Sequence, residues 1–199
     1  MHILPGTTPK TISLLSIGQR AVGKTVFLAG SYAELHSNSQ TNYAQQLWFD
    51  CQDMQVQENI ESVLNYGART SIYPPSTIKI TNFNFSLKRQ SLWGVETLCH
   101  FPWWDIPGES CNIRNPDSKK IVYASPGCCV FINAYALVYN SAYLQILEDI
   151  IEQVMAIASL VYLSKLKYTF ALLLNKCDLL QPCLLNRQQI EKGLQPLAY

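Results

Sequence analysis

With 199 residues, 48% of them hydrophobic and 15% charged, the chain is long enough to bury one full core and reads as a single domain over 1–199. A formal net charge of +1, with Lys88-Arg89 and Lys119-Lys120 the only basic doublets, argues against binding to nucleic acid or acidic lipid. Seven cysteines without a C-x-x-C pair and only three histidines argue against a disulfide framework or zinc site, and point to reduced thiols in a cytoplasmic protein.

The first predicted element is a strand over 11–17, whose apolar run leads into Gly18, Gln19, Arg20, Ala21, Val22, Gly23, Lys24 and Thr25. This is the spacing G-x-x-x-x-G-K-[ST], set between a strand and a helix as a phosphate-binding loop requires. Glycines let the chain curl without Cβ clashes, so successive backbone N–H groups and the N-terminus of the next helix face one anion. Lys24 then brings a point charge to the β- and γ-phosphates of a nucleotide, and the Thr25 hydroxyl is placed to ligate Mg²⁺. The plain alternative is a glycine turn followed by a surface lysine.

A helix is expected over 24–35, then an insertion over about 36–70. There Leu47, Trp48 and Phe49 suggest a short strand, and Val56, Ile60, Val63 and Leu64 an amphipathic helix, a surface for a partner or regulator. Strands follow over 78–87 and 95–104, the first an antiparallel edge against the second. The second runs into Asp105, with Pro107, Gly108 and Glu109 just beyond; an ordinary Pro-Gly turn would use the same residues. A helix near 117–123 and a strand over 128–134 come next, Cys128 and Cys129 acting there as small core residues.

No charge occurs between 121 and 147, which raises the question of a membrane span. Pro126, Gly127, Asn133, Asn140, Ser141 and Gln145 interrupt it, so a buried strand, a loop and a helix are expected instead. In that helix, over 142–163, Tyr143, Leu147, Ile150, Val154, Ala158 and Val161 make an apolar face opposite Gln145, Glu148, Asp149 and Glu152. A strand over 168–174 leads into Asn175, Lys176, Cys177 and Asp178, where Cys177 is expected to be open to alkylation. A last helix lies around 186–194. No basic lead precedes the first apolar run, so no signal peptide is expected. Strands alternating with helices imply an α/β fold with a mostly parallel sheet covered on both faces, its ligand at the carboxyl ends of the strands. All three motifs fall at such ends.

A carboxylate at Asp178 can accept hydrogen bonds from the N1–H and exocyclic amine of guanine. Adenine offers an acceptor at N1 and no such amine, so the same charge would be desolvated and unpaired. Asn175 is expected to brace the loop and contact the base edge, and the aliphatic stem of Lys176 to lie over the base. Asn and Asp also serve as caps after a strand, which is the alternative reading.

Phosphate loop, D-x-x-G and N-K-x-D, in that order over residues 12 to about 178, resemble the core of the P-loop GTPases of the Ras-like and translation-factor-related (TRAFAC) class. The resemblance implies a three-layer Ras-like fold with one antiparallel edge strand. It implies that Asp105 holds Mg²⁺ through a water and that the Gly108 N–H senses the γ-phosphate. It also implies a first-switch threonine, for which Thr77 is the first choice, with Thr70, Ser71 and Ser76 as alternatives and a simple strand start as the structural one. Metal ligation would then fall to Thr25, Thr77 and Asp105, and the reaction to Lys24, Thr77, Gly108 and Glu109.

Three departures from this pattern carry consequences. Glu109 stands where Ras-like enzymes carry the glutamine that orients the attacking water, and its charge beside a polyanion is unfavourable. Arg20 occupies a loop position that is small in many relatives; it either reaches the phosphates or points to solvent, and solvent is favoured. The insertion is longer than a minimal switch connection. After Asp178 there is also room only for a loop and one helix, with no Ser-Ala-Lys-like match, so the C-terminal part of the fold falls short.

The function this implies is a Mg²⁺-dependent GTP-binding switch with slow hydrolysis, acting through a protein effector or regulator. A nucleotide-binding interaction module that does not hydrolyse, and a P-loop ATPase or kinase, are the alternatives.

Overall fold

The computed structural model describes residues 8–41, 47–51, 53–70, 80–91, 94–106, 114–180 and 184–195. The apolar run before the glycine loop becomes the middle of the sheet. It forms β1 (Lys10–Thr11) and β2 (Leu14–Gly18), which pair in parallel with β5 (Gly94–Asp105) in one continuous register, Thr11 opposite His100 and Leu14 opposite Trp103. The single strand expected over 11–17 is thus interrupted at Ile12 and Ser13 without a slip, and the Ile12 N–H still donates to the His100 carbonyl. On its other side β2 pairs in parallel with β6 (Gly127–Asn133), and β6 with β7 (Thr169–Asn175). Six of the seven residues of β6 are buried, as a strand covered on both faces requires.

The other half of the sheet is antiparallel. β4 (Thr81–Ser91) forms a hairpin with β5, and β3 (Leu47–Cys51) adds outside β4, giving the order β3-β4-β5-β2-β6-β7. Among the described residues β4 alone runs against the rest. It is not the edge, as the sequence suggested, because residues 47–51 contribute β3; Lys88 on β4 meets Asp50 on β3 at 2.6 Å.

Two separate cores flank this α/β sheet. On one face lie α1 (Lys24–Thr41) and α2 (Met54–Thr70), where Leu28, Tyr32, Val56 and Ile60 pack on Phe83, Phe85, Trp103 and Phe131. α1 continues past the expected end at 35. The apolar face of α2 is spent on this core, with Val63 and Leu64 packed against it, and is not a free surface for a partner. Strand β3 and helix α2 were both legible from periodicity; their structural duty was not.

The opposite face carries α3 (Pro116–Ala124) and α5 (Tyr143–Leu163). Asn115 caps α3 by accepting from the Asp117 N–H at 2.9 Å, with Pro116 at the first helical position. α5 buries Tyr143, Leu147, Ile150, Ile157 and Val161 on Leu15, Ile17, Cys128, Val130 and Ile132. Ile157 replaces the expected Ala158, because alternating steps of three and four residues keep the stripe facing the sheet.

A short helix, α4 (Ala134–Tyr139), was not foreseen. Asn133 and Asn140, read as interruptions, are its two caps: Asn133 Oδ1 accepts from the Ala136 N–H at 3.0 Å, and the Asn140 N–H donates to the Ala136 carbonyl. The last helix, α6 (Leu184–Leu194), lies against α4 so closely that a Cβ on Gly193 would come within 2.7 Å of Leu137. Among the described residues β7 pairs only with β6, and Leu172 and Leu174 at this edge are exposed. No helix of the described residues is long and apolar enough to cross a membrane.

Tyr143 links α5 to the end of β6, its buried hydroxyl accepting from the Asn133 N–H at 2.9 Å. Tyr143→Phe is expected to cost about 1–2 kcal/mol by leaving that N–H without its acceptor, read as a lower urea midpoint. Burial pushes the phenol above its ordinary range, partly opposed by that hydrogen bond. Above about pH 10 the unfolded tyrosine therefore loses its proton while the folded one keeps it, so stability falls as pH rises. Unfolding of the two proteins at pH 8 and pH 11 should show a shallower alkaline loss in the variant.

Candidate functional site

The loop at 18–25 leaves β2 through Gly18, whose φ of +143° and closeness to β6 admit no side chain: a Cβ would sit 2.6 Å from the Phe131 carbonyl oxygen. Ala21 at φ 58° and Gly23 at φ +101° complete the curl. α1 then begins, its first turn closed by the Phe27 N–H on the Gly23 carbonyl at 2.8 Å and free of acidic residues of its own. Buried Val22 anchors the loop, while Arg20 and Ala21 at its crest are exposed. Gly18→Ala is expected to destabilise the fold by about 2–4 kcal/mol, combining backbone strain with overpacking; a melting curve matching that of the parent protein would show the close approach to be tolerant.

Lys24 folds back over this curl. Its ammonium donates to the Gly18 carbonyl at 3.1 Å and the Gln19 carbonyl at 3.4 Å, and the residue is only 6% exposed. A buried cation held by backbone dipoles at a helix N-terminus makes an anion-seeking site.

Beside the loop stands Asp105, the last residue of β5 and 0% exposed. Its Oδ2 accepts from Thr25 Oγ1 at 2.6 Å and its Oδ1 from Ser16 Oγ at 3.3 Å. Register explains the meeting, since Ser16 on β2 is the direct partner of Asp105. Ser16 was missed in the sequence, where its one signal is a small polar residue within the apolar run. Thr25 and Asp105 offer a hydroxyl and a carboxylate oxygen, the hard donors Mg²⁺ prefers; among the described residues no group of three or more His, Cys, Asp or Glu could hold a metal.

The third segment closes on the loop from β7. Asn175 Nδ2 donates to the Val22 carbonyl at 2.8 Å, and its Oδ1 accepts from the Lys176 N–H at 3.0 Å. The contact is so close that a Cβ on Gly23 would fall 2.4 Å from Asn175 Nδ2. Lys176 adopts the left-handed conformation, φ 60° and ψ 31°, and starts the single turn Cys177–Leu179 on which Cys177 and Asp178 are exposed. Asn175 thus ties the end of β7 directly to the 18–25 loop.

Thr77, Gly108 and Glu109, together with Ser71 and Ser76, lie outside the described residues. Thr70 ends α2. No protein-family model matches the chain, and no curated protein matches it.

Proposed function

We propose that this protein is a Mg²⁺-dependent GTP-binding switch of the P-loop GTPase kind that hydrolyses GTP slowly. One observation carries the proposal: residues 80 positions apart, Thr25 and Asp105, and 153 positions apart, Val22 and Asn175, are hydrogen-bonded around one loop at the carboxyl ends of parallel strands. That is where an open α/β sheet binds its ligand.

In this reading the backbone N–H groups of the loop and the start of α1 receive the phosphates. Lys24 lays its charge on the β- and γ-phosphate oxygens, exchanging two carbonyl partners for anionic ones. Thr25 and Thr77 would ligate Mg²⁺ and Asp105 would hold it through a water; when bound, the ion would neutralise charge on the phosphate oxygens. Asp178 selects guanine, Lys176 covers the base, and Asn175 ties the base loop to the phosphate loop. The Gly108 N–H senses the terminal phosphate, and Thr77 and Gly108 release once it has gone. Water attacks the γ-phosphorus, the bond to the bridging oxygen breaks with its electron pair leaving on GDP, and phosphate departs. Glu109 orients water less well than glutamine beside a polyanion, which makes turnover slow without a protein regulator.

Equilibrium titration with GTP, GDP and ATP in the presence of Mg²⁺ tests this. GTP and GDP should compete for one site and ATP should not displace them. Equal competition by ATP would overturn the guanine assignment. GTP retained intact over prolonged incubation would instead support the non-hydrolysing module that Glu109 suggests.

A further inference from the structure

The last turn of α5 carries the two most exposed large apolar residues of those described, Tyr162 at 82% and Leu163 at 79%. Leu166, just beyond the helix, is exposed as well, and Lys165 and Lys167 stand on either side of it in water. Scattered apolar residues on a surface need no explanation, but a contiguous apolar group rimmed by charge marks a place of contact. No acidic residue occurs between Glu152 and Asp178.

The backbone fixes this group in place. The Lys165 N–H donates to the Tyr162 carbonyl and the Leu166 N–H to the Val161 carbonyl, each at 3.0 Å, the paired bonds of a Schellman helix ending. That ending needs a left-handed residue, usually glycine, and here Lys165 supplies it at φ 53°. An ammonium is thus held out on a defined turn, at a position where glycine would be the more stable choice.

α3 adds to the same end of the molecule. Ser164 Oγ donates to the Tyr123 hydroxyl at 3.3 Å, and the Thr169 N–H donates to the Pro126 carbonyl at 3.1 Å, so the turn after α5 sits beside the end of α3. Tyr123 is exposed, and the Lys119 ammonium lies 5.7 Å from the centre of its ring. Lys120 is paired with Asp117 at 3.3 Å. The acids of α5, Glu148, Asp149 and Glu152, belong to the first half of the helix, and the formal net charge of +1 averages over this separation. Because α3 leads into β6 and α5 into β7, the group lies at the amino ends of the strands, whereas the 18–25 loop lies at the carboxyl ends.

We propose that this end of the molecule docks on an anionic lipid bilayer, with Tyr162 and Leu163 entering the headgroup boundary and Lys119, Lys165 and Lys167 meeting the negative headgroups. The mixture of side chains selects this partner. Lysines alone would fit any polyanion, and apolar tips alone any apolar surface, but a bilayer offers negative charge with an apolar interior directly beneath it, and tyrosine favours that boundary. Docking stands apart from the nucleotide reading and leaves the loop open to solution.

Flotation of the full chain with vesicles of phosphatidylcholine, with or without phosphatidylserine, tests this at low and high salt. Binding should require phosphatidylserine and fall at high salt. Lys165→Glu combined with Lys167→Glu should weaken it about thirtyfold or more, since each lysine near such a surface contributes about fivefold. Leu163→Ser should weaken it about fivefold by removing apolar area from the boundary. Lys165→Gly should weaken it about fivefold while leaving the melting temperature unchanged or higher, a pairing that a purely structural lysine would not give. Arg187→Glu combined with Lys192→Glu, the same change of charge placed on α6, should stay within about twofold of the parent protein. Equal binding to vesicles without phosphatidylserine, an equal loss from the α6 pair, or undiminished binding of folded Leu163→Ser would overturn the proposal. Binding to soluble polyglutamate with none to either vesicle would also overturn it, and would assign the surface to an acidic protein.

Discussion

Lys24→Ala is expected to weaken GTP and GDP binding by about a hundredfold or more, about 2.8 kcal/mol at 1.4 kcal/mol per decade. The size follows from where the ammonium sits. It has already been taken out of water, at 6% exposure, and donates to the carbonyls of Gly18 and Gln19 at 3.1 and 3.4 Å. A charge oriented in advance in a poorly solvated place interacts with a phosphate oxygen more strongly than a surface lysine does, because little remains to be desolvated. Removing it also takes a donor from two backbone carbonyls, which costs about 1 kcal/mol of stability, small enough for the variant to fold. Lys24→Arg should be nearly as damaging, since a planar guanidinium does not fit a niche shaped for a compact ammonium. Calorimetry with GDP and Mg²⁺ on a variant of confirmed melting temperature measures the effect. Parent-like affinity in folded Lys24→Ala would remove the phosphate assignment from this loop.

Asp178→Asn should exchange the base preference, lowering GTP affinity about a hundredfold or more and raising that for xanthosine triphosphate. Asn175 spends both arms of its amide on protein groups, Val22 and Lys176, and so works as a brace. In the proposed function, discrimination would then rest on the exposed carboxylate of Asp178, carried on the short turn after left-handed Lys176. In the variant the amide presents a donor to the xanthine carbonyl that replaces the guanine amine. Because Asp178 is exposed, the substitution should change stability by less than about 0.5 kcal/mol, leaving the nucleotide effect readable. Competition between the two triphosphates, in parent and variant, checks it; a variant that still prefers guanine would place the base elsewhere.

Local signals in the chain carried a good part of this structure. Glycine spacing placed the curl before α1, since Gly18 and Gly23 are needed for backbone angles that other residues avoid. Periodicity located α2, α5 and the strands of the sheet, their ends less well: α1 runs on to Thr41, and Ile157 takes the core position expected of Ala158. Polarity misled at Asn133 and Asn140, where capping geometry and a loop look alike until the backbone is seen.

What residues 11–178 determined on their own was a set of short-range conformations and the motifs at 18–25, 105 and 175–178, because backbone angles, caps and side-chain stripes depend on neighbours a few positions away. Only the tertiary structure decided that Asp105 receives both Thr25 and Ser16, that Asn175 clasps Val22, and that β3 takes the edge from β4. Those contacts join segments up to 153 positions apart. They follow from strand order and register, which are settled by how whole faces pack together, a property no local stretch of sequence contains.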